Sequence, residues 1–406
     1  MIETIVYLLI IFGLSEIILY FWIKILSKKF QWLITKKDEN PKLDENGLKK
    51  FIDIGYDFEL GWIRKPNTSN FEFGAEGKTK WSINNVGARY NPNFENMKSD
   101  IVCFGDSFTF CRQVNDNETW EYYLSKLENT NVKNFGVGNY GIDQSLLRLK
   151  RQFTKDSTEK VILAVVPDTI SRIMSYWKHY YEYGNTFAFK PKFTLQNNEL
   201  IILKNLIDSE KKLFNYEKYL NIIKKEDYFY KNKFRKEIIK FPYSIYILKN
   251  FRRNISLIYW LTKIEIYKKL NKSISKIEWY PMKIIMDINL KWRIKLYQDK
   301  SAQNLLKKII EEYVKIGIEK NFLPIFFFIP QKDDLIFIKN NFNFYCNFIQ
   351  EIKKINGINI IDVTEKFLEK QNFDELYSDE NQYGGHLSRK GNKFLATIIH
   401  EKLKKI

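Results

Sequence analysis

The chain has 406 residues, of which 45% are hydrophobic and 28% are charged, and its formal net charge is +18. This length allows two domains, or one domain enlarged by insertions, and either can bury a sizeable core. The positive charge would favour lipid headgroups, acidic glycans or nucleic acid. However, the lysines are dispersed among acids and no zinc-finger or RNP motif is present, which argues against a nucleic-acid partner.

The three cysteines, Cys103, Cys111 and Cys346, are odd in number and form no CxxC pair. This spacing argues against a disulfide framework and against a zinc site. We predict no bound metal and no cofactor.

The N-terminus predicts a membrane anchor over residues 1–27. The sequence is apolar from Ile5 to Ile23 apart from Ser15 and Glu16, and about 19 helical residues rise roughly 28 Å, close to the thickness of a bilayer core. A cleavable signal peptide is disfavoured because lysines follow the apolar run instead of preceding it. An amphipathic or core helix remains the alternative, since Glu16 would be costly in mid-span.

The charges that flank the anchor predict its orientation. Five lysines follow the apolar run, and before it there is only Glu3; the lysines are Lys24, Lys28, Lys29, Lys36 and Lys37. By the positive-inside rule the large domain is expected in the cytoplasm. A periplasmic domain is the alternative, because the rule discriminates less in a chain so rich in lysine.

Residues 28–97 are expected to lead into the main domain. The polar stretch 38–60 should form a short connection. After it, Gly, Asn and Pro punctuate aromatic and β-branched residues in "ELGWIRKPNTSNFEFGAEGKTKWSINNVGARYNPN", which predicts short strands and turns.

Residues 98–185 alternate between strand and helix patterns. The strands are "DIVCFG", "VKNFGV" and "KVILAVVP", and the helices between them are "NETWEYYLSKLEN" and "IDQSLLRLKRQFTK". The alternation resumes over 300–406 with a helix from Ala302, the strand "FLPIFFFIP", a helix near 333–355, the strand "INIIDVT" and a last helix from about Ser388 to Lys404. Such alternation predicts a parallel α/β sheet with helical crossovers.

Residues 186–299 interrupt this rhythm. They are rich in Lys, Tyr and Ile and include helical stretches such as "KYLNIIKKEDYFYKNKF". We predict a mostly helical insertion that splits the α/β domain into the two parts 98–185 and 300–406.

Four segments are expected at the carboxyl ends of the strands, where ligands collect in open parallel sheets. They are "GDSFTF", "GVGNYGIDQ", "VVPDTISRI" and "QYGGHLSRKGN". In the first, Ser107 could cap the next helix, or it could be a nucleophile activated by a histidine.

The chain has three histidines, which can be weighed one by one. His400 lies in the last amphipathic helix, where a surface role is expected. His179 stands among aromatic residues and could contact a substrate. His386 follows two glycines at the strand-end edge, so it is the favoured general base for Ser107.

These four blocks, in this order, resemble the SGNH (GDSL) hydrolases over roughly 98–185 and 300–404. The lead-in segments "ELGWIRKPN" and "WSINNVGARYN" also resemble those of bacterial membrane-associated members found with surface polysaccharide genes. The resemblance implies a flavodoxin-like, three-layer α/β/α fold with a mainly parallel sheet. To this fold the N-terminal transmembrane helix and the helical insertion are added.

The resemblance also implies roles for site residues. Ser107 takes the position of the nucleophile and His386 that of the base. The oxyanion is bound in the family by the serine N–H, by a glycine N–H of the second block and by an asparagine side chain of the third.

The sequence departs from the family pattern at three positions. Asn139, next to Gly138, stands at the position of the second-block glycine, and Thr169 stands at that of the asparagine. Tyr383 replaces the usual acid, three residues before the histidine. Asp379 is therefore predicted as the triad acid, with Glu380 as the alternative; we expect weak activity on generic esters and a gain from Thr169→Asn.

The sequence thus predicts a single-pass protein of a bacterial inner membrane that hydrolyses an acyl ester on a glycan or lipid. An O-acyltransferase of surface polysaccharide and a non-catalytic glycan-binding or assembly protein are the alternatives. The expected partners are the acylated substrate and the membrane, and the oligomeric state is left open.

Overall fold

A computed structural model describes residues 2–29, 34, 40–41, 43–74, 76–153, 158–182 and 184–406. Lys36 and Lys37, on which part of the orientation argument rests, lie outside these residues. The chain forms two compact units. The helical unit comprises Met1–Asp44, Trp177–Ala188 and Glu217–Asn289, and the sheet unit comprises Glu45–Tyr176, Phe189–Tyr216 and Leu290–Ile406.

The strands are numbered in chain order. They are β1 (Tyr56–Asp57), β2 (Gly61–Trp62), β3 (Ser69–Gly74), β4 (Gly77–Ser82), β5 (Ile101–Gly105), β6 (Val132–Asn134), β7 (Lys160–Val165), β8 (Lys192–Gln196), β9 (Glu199–Leu203), β10 (Leu323–Phe328) and β11 (Asn359–Asp362).

The α-helices of the described residues are α1 (Ile2–Lys29), α2 (Glu45–Ile54), α3 (Trp120–Glu128), α4 (Ile142–Gln152), α5 (Thr169–Arg172), α6 (Glu210–Phe214), α7 (Leu220–Glu226), α8 (Arg235–Glu237), α9 (Tyr243–Lys249), α10 (Phe251–Lys269), α11 (Tyr280–Leu296), α12 (Lys300–Lys320), α13 (Lys332–Asn340), α14 (Cys346–Ile352), α15 (Thr364–Leu368) and α16 (Arg389–Leu403).

The centre of the sheet unit is a five-stranded parallel sheet in the order β11-β10-β7-β5-β6. Gly105 of β5 pairs with Ala164 of β7, and Cys103 pairs with Asn134 of β6. The chain runs from β5 to β6 on one side and then returns to β7 on the other. The strand order therefore reverses beside β5, which is where open α/β sheets bind ligands.

Alternation along the strands gives the sheet two apolar faces. Cys103, Ile162 and Phe327 share one buried cluster with apolar residues of α3, α15 and α16. On the other face Tyr313 of α12 donates its hydroxyl to the carbonyl of Val161 at 2.7 Å. Because strand side chains point alternately to the two faces, helices cover both sides. The predicted flavodoxin-like α/β/α fold class is confirmed.

Local structure differs from the sequence expectations in three places. The polar connection 38–60 contains helix α2, the helix expected near 333–355 is two helices, α13 and α14, and the stretch 186–299 begins with the antiparallel hairpin β8–β9. Helix α2 has Leu48, Phe51 and Ile52 at helical spacing, so its pattern was present within the polar stretch, whereas α13, α14 and the hairpin are short elements with a weaker pattern.

Helix α1 is the dominant element of the helical unit. It is 28 residues long with a mean hydropathy of 2.2, and it is the one described helix that is long and apolar enough to cross a membrane. Its C-terminal part packs through Ile23 and Leu26 against residues of α9, α10 and α11. The apolar side chains of its N-terminal half are exposed.

Candidate active site

The segment after β5 turns sharply because Gly105 leaves no room for a side chain. A Cβ on Gly105 would stand 2.0 Å from the Ala164 carbonyl oxygen and from Thr109 Oγ1. Thr109 Oγ1 donates to that carbonyl at 3.1 Å. The chain after β5 is thereby held against β7, at the edge where the strand order reverses.

Asp106 organises this turn. Its Oδ1 accepts the N–H of Phe108 at 2.8 Å, and its Oδ2 accepts the N–H of Val166 at 3.0 Å. The Arg172 guanidinium pairs with the same carboxylate at 3.1 Å. Asp106 therefore stabilises the turn, and the next α-helix, α3, is capped by Thr119 and not by Ser107.

Ser107 is left with a structurally unused hydroxyl. Its side chain makes no hydrogen bond within the described part of the chain, and the residue is 5% exposed. Its backbone N–H likewise donates to no acceptor there. An unpaired hydroxyl and a free N–H at the end of a strand are the two groups that a serine nucleophile uses.

His386 is carried by a tight loop that returns toward the sheet. The N–H of Ser378 donates to the His386 carbonyl at 2.8 Å, and the N–H of Asp379 donates to the Gly384 carbonyl at 2.9 Å. Gly384 and Gly385 have φ values of +77° and +64°, which glycine adopts without the strain of a side chain. The "GGH" sequence thus closes the loop that presents the imidazole.

The imidazole packs beside the serine segment. The rings of Phe108 and His386 have their centroids 5.0 Å apart, and Phe108 directly follows Ser107. Within the described residues, Ser107 and the imidazole Nε2 of His386 form no hydrogen bond with each other. Catalytic hydrogen bonds are often long without substrate and tighten in its complex.

Gln113 binds the other side of the imidazole. Its Oε1 lies 3.0 Å from His386 Nδ1 and also accepts the His386 N–H at 2.9 Å and the Ser378 hydroxyl at 2.7 Å. Its Nε2 donates to the Phe73 carbonyl at 3.2 Å. These contacts fix the amide orientation, because the donor and the acceptor each have a matching partner.

This contact selects the tautomer of His386. An amide oxygen only accepts, so Nδ1 must carry the proton, and Nε2 of the neutral ring is then a free acceptor. Burial, followed by the positive charges of Arg112 and Arg172, holds the pKa of His386 well below its ordinary value. The imidazole is therefore neutral near pH 7, as a general base must be.

Asp379, the predicted triad acid, lies on the loop that carries His386. The Asp379 carboxylate packs beside Gly385, with Oδ2 2.4 Å from where a Cβ on that glycine would lie. Within the described residues neither Asp379 nor Glu380 has a hydrogen bond to the imidazole, because Gln113 already occupies Nδ1. Tyr383, at the family's acid position, accepts a hydrogen bond from Gln331 Nε2 at 3.2 Å.

The second block approaches the site through backbone groups. Asn139 has φ +69°, a conformation that asparagine tolerates better than most residues. Neither its N–H nor that of Gly138 donates within the described residues. The Gly138 carbonyl accepts the Trp62 indole N–H at 2.9 Å, which leaves the N–H groups as the donors available to an oxyanion.

Thr169 is in a different environment from the one expected of an oxyanion donor. It is fully buried, and its hydroxyl oxygen accepts the N–H of Ile142 at 2.9 Å. That N–H belongs to the first residue of α4, which no helical carbonyl can satisfy. In this structure the Thr169 hydroxyl caps α4, a role that the motif comparison did not indicate.

The site contains two residues that the sequence analysis missed, Arg112 and Gln113. They follow the "GDSFTFC" segment directly, and nothing in their spacing marks them. Arg112 pairs with Glu72 at 3.0 Å, and its Cδ lies 4.0 Å from the position of a Cβ on Gly138. The long turn after Ser107 thus returns to the site, with Gln113 in the left-handed region at φ +68°.

The other two histidines have different surroundings. His400 Nδ1 contacts Glu128 at 2.6 Å. His179 belongs to the helical unit, where its ring packs on Trp177, Tyr180 and Phe234. Among the residues that the structure describes, no group of three or more His, Cys, Asp or Glu side chains is arranged to hold a metal ion.

Comparisons with known proteins give structural neighbours alone. No family model and no curated protein matches the sequence. One similar solved structure is of a protein described as a lipolytic member of the G-D-S-L family, from Desulfitobacterium hafniense DCB-2. It is 11% identical, the match covers 75% of this chain and 99% of that one, and the TM-score is 0.33. A second is 13% identical over 76% of this chain and 97% of its own, with a TM-score of 0.35.

Proposed function

We propose that this protein is a serine hydrolase of the SGNH type that cleaves acyl esters, with Ser107 as nucleophile and His386 as base. The observation that carries the proposal is that, within the described residues, the Ser107 hydroxyl has no hydrogen-bond partner and the His386 ring has only its Nδ1 bonded. Ser107 has a hydroxyl without any structural task, and the imidazole of His386, which contacts the next residue, Phe108, has its Nδ1 held by Gln113. A neutral ring with a free Nε2 is prepared to accept the serine proton.

The reaction proceeds in two balanced steps. Ser107 Oγ attacks the ester carbonyl carbon while His386 Nε2 takes its proton, and the proton then passes to the departing alcohol. Water then attacks the carbonyl carbon of the acyl-serine while His386 Nε2 takes its proton. The bond to Ser107 Oγ breaks, His386 returns the proton to Ser107 Oγ, and the carboxylic acid is released. Gln113 keeps Nδ1–H oriented and accepts its hydrogen bond while the ring is positively charged.

The oxyanion is assigned to backbone donors. The N–H groups of Ser107 and Asn139 are free within the described residues and lie on two adjacent strand-end loops. In this proposal Thr169 takes no part, because the residue is fully buried and its hydroxyl oxygen is bonded to the first N–H of α4. Preorganised N–H groups stabilise the charge that develops on the carbonyl oxygen.

We further propose that the substrate is an acyl ester on a bacterial glycan or lipid and that α1 anchors the enzyme in the inner membrane. The length and hydropathy of α1 support the anchor, and the net charge of +18 supports an anionic surface. The lysines after Ile23 support a cytoplasmic position of the sheet unit. A reporter that is active only in the periplasm, fused after Ile406, should stay silent; a bright signal reverses the orientation.

A fluorophosphonate probe tests the proposed chemistry. The probe phosphonylates activated serines, so we expect the full chain in detergent to be labelled at Ser107, and Ser107→Ala to abolish labelling. Ser275→Ala, which changes an exposed serine of the helical unit, is the matched control and should label normally. Absence of labelling in the intact protein would favour a non-catalytic glycan-binding role.

The fate of the acyl group distinguishes hydrolysis from transfer. Protein that has not been treated with the probe is incubated with a short acyl ester, with and without a sugar acceptor, and free acid and acylated sugar are measured. Free acid in both reactions supports the hydrolase. Acylated sugar formed at the expense of free acid would replace it with an O-acyltransferase that uses the same serine.

A further inference from the structure

Helices α9 and α10 of the helical unit pack on the C-terminal half of α1 through polar contacts. The Glu16 carboxylate accepts the N–H groups of Tyr243 and Ser244 at 2.5 and 2.8 Å. Further along α1, the Trp22 indole N–H donates to Thr262 Oγ1 at 3.0 Å. The one acidic side chain inside the apolar run is therefore satisfied by the backbone of α9.

The same helices share an apolar core with α1. Ile23 and Leu26 of α1 are buried with Ile247 of α9 and with Leu257 and Leu261 of α10. One face of α10 is thus fully used in packing within the helical unit. A water-soluble helix with one buried face carries polar residues on the opposite face.

The opposite face of α9 and α10 is apolar as well. Phe251, Ile255 and Tyr259 follow one another at intervals of four residues, so they share one side of α10. They are 53%, 42% and 54% exposed. Phe241 and Leu248, before and within α9, are 67% and 64% exposed. A helix that is apolar on two faces requires apolar surroundings on both.

The exposed charges within residues 238–264 have one sign, and Glu265, the next residue of α10, is paired with Lys29. Residues 238–264 contain no Asp or Glu, and Lys240, Lys249 and Arg252 are exposed there. Basic residues that border an apolar helical face are typical of helices that lie in the surface of an anionic bilayer. A protein partner would more commonly find both signs at the rim of such a patch.

The position along α1 matches an interfacial depth. Glu16 precedes Lys24, the first lysine after the apolar run, by eight residues, which is about 12 Å along a helix. The start of α9, bonded to Glu16, would therefore lie about 12 Å below the lysine level, close to the roughly 5–10 Å to which interfacial helices insert. Trp22, which contacts α10, is of the residue type that is enriched at membrane interfaces.

We propose that α9 and α10 form a second membrane-binding element, which lies in the surface of the leaflet where α1 ends and binds anionic lipid. We call the residues 241–259 that form it the interfacial segment. It fixes α1 at a defined depth and supplies the hydrogen bonds that Glu16 needs. The surface recognises a bilayer, with apolar side chains in the acyl region and lysine and arginine at the headgroups.

Spin labels can measure this depth in the full chain. The exposed Cys346 is changed to Ser, while Cys103 and Cys111 are buried and need no change. Labels are placed at Leu248→Cys and Phe251→Cys, and a control label at Ile318→Cys, which is 74% exposed in the sheet unit. The proteins are reconstituted in vesicles of phosphatidylcholine with phosphatidylglycerol, and collision with oxygen and with a water-soluble nickel chelate is measured.

We expect the labels at 248 and 251 to collide several-fold more with oxygen, relative to nickel, than the label at 318. Equal nickel access at all three positions would overturn the proposal, since the segment would then be in water. Protection from both reagents together with spin–spin broadening would also overturn it, because a second copy of the chain would cover the surface. Ile255→Cys is a second site on the same face, in case either of the first two variants fails to fold.

Discussion

Each of the two compact units contains a histidine with a lowered pKa, and the two rings differ in what surrounds them. Burial is the first cause of a lowered pKa at both His386 and His179. His386, in the sheet unit, has Gln113 on Nδ1 and adjoins the serine turn. His179, in the helical unit, packs against three aromatic rings. Burial keeps an imidazole neutral, but only a held tautomer beside a free hydroxyl makes it useful for catalysis.

The largest expected effect tests the sheet-unit side of this comparison. Ser107→Ala and His386→Ala should each lower the turnover of a short acyl ester by roughly 10⁴-fold or more, because nucleophile and base act as a unit. The double variant should be no worse than either single one. Circular dichroism spectra of the variants should match that of the parent chain.

Histidine variants also test which ring is the base. His179→Gln and His400→Gln should retain ester turnover. Undiminished turnover in His386→Ala, or a loss in His179→Gln that is equal to that of Ser107→Ala, would reverse the comparison.

His179 should instead affect stability as the pH changes. Burial and the nearby Lys233 lower its pKa from 6.5 to about 4. Below pH 6.5 His179 binds a proton in the unfolded chain but stays neutral in the folded chain. The contribution of the neutral ring to the unfolding free energy is therefore complete above pH 6.5 and decreases as the pH falls toward 4. The difference between the two pKa values corresponds to about 3 kcal/mol.

The measurement is the thermal unfolding of the detergent-solubilised full chain at pH 7.5 and pH 5. The parent chain should lose more of its unfolding temperature over this interval than His179→Gln, which cannot titrate. Parallel losses in the two proteins would show that His179 does not couple folding to protons.

Gln113 should contribute less than the reacting pair, because it acts through the imidazole. We expect Gln113→Ala to lower kcat by roughly 10- to 100-fold, since Nδ1 loses the acceptor that holds its tautomer. Gln113→Glu keeps an acceptor and adds a negative charge, so it should retain more activity and shift the acid limb of the pH profile upward. This shift would not follow from a purely structural role.

Asp379→Asn is the matched control for Gln113. It removes the charge of the predicted triad acid and preserves side-chain volume, and we expect a small effect on kcat. A loss larger than that of Gln113→Ala would return the orienting role to Asp379.

The fold could be predicted because its elements are local and strongly patterned. The strand of Ile101–Gly105 and the helix of Arg389–Leu403 lie where the sequence places them. The segments of Ser107 and His386 could be predicted to meet because parallel strands end at one edge, and the rings of Phe108 and His386 are in contact. Gln113 could not be selected, since its contact depends on a left-handed turn that reverses the chain after Cys111, and no residue type marks that turn.

The assignment of Thr169 shows a different limit of sequence reasoning. A motif position implies a role, but the hydroxyl was available to any unpaired N–H, and the first residue of α4 lies within reach. The apolar surface of α10 shows a third limit. Helical periodicity identifies one buried face, while both faces of this helix are apolar.

Thr169→Val should therefore act on stability and not on the chemical step. Valine has the same shape but cannot accept the Ile142 N–H, and a buried unsatisfied donor costs about 1–3 kcal/mol. We expect a lower unfolding temperature with unchanged turnover per folded molecule, and the same direction for Thr169→Asn in place of the gain expected from the sequence. A fall in kcat at constant stability would restore the oxyanion role.

The smallest effect concerns Arg112, and it tests why His386 is neutral. After burial, the Arg112 charge is the next cause of the lowered pKa of His386, so Arg112→Gln should raise that pKa and move the acid limb of kcat/KM to higher pH. The limb should remain below pH 6.5, because burial contributes most of the shift. Lys393→Gln, which removes an exposed cation of α16, controls for the change in net charge and should leave the limb in place.

An unshifted limb in Arg112→Gln would mean that Glu72, paired with Arg112 at 3.0 Å, already cancels its charge at the imidazole. The neutrality of the base would then rest on burial and on Arg172.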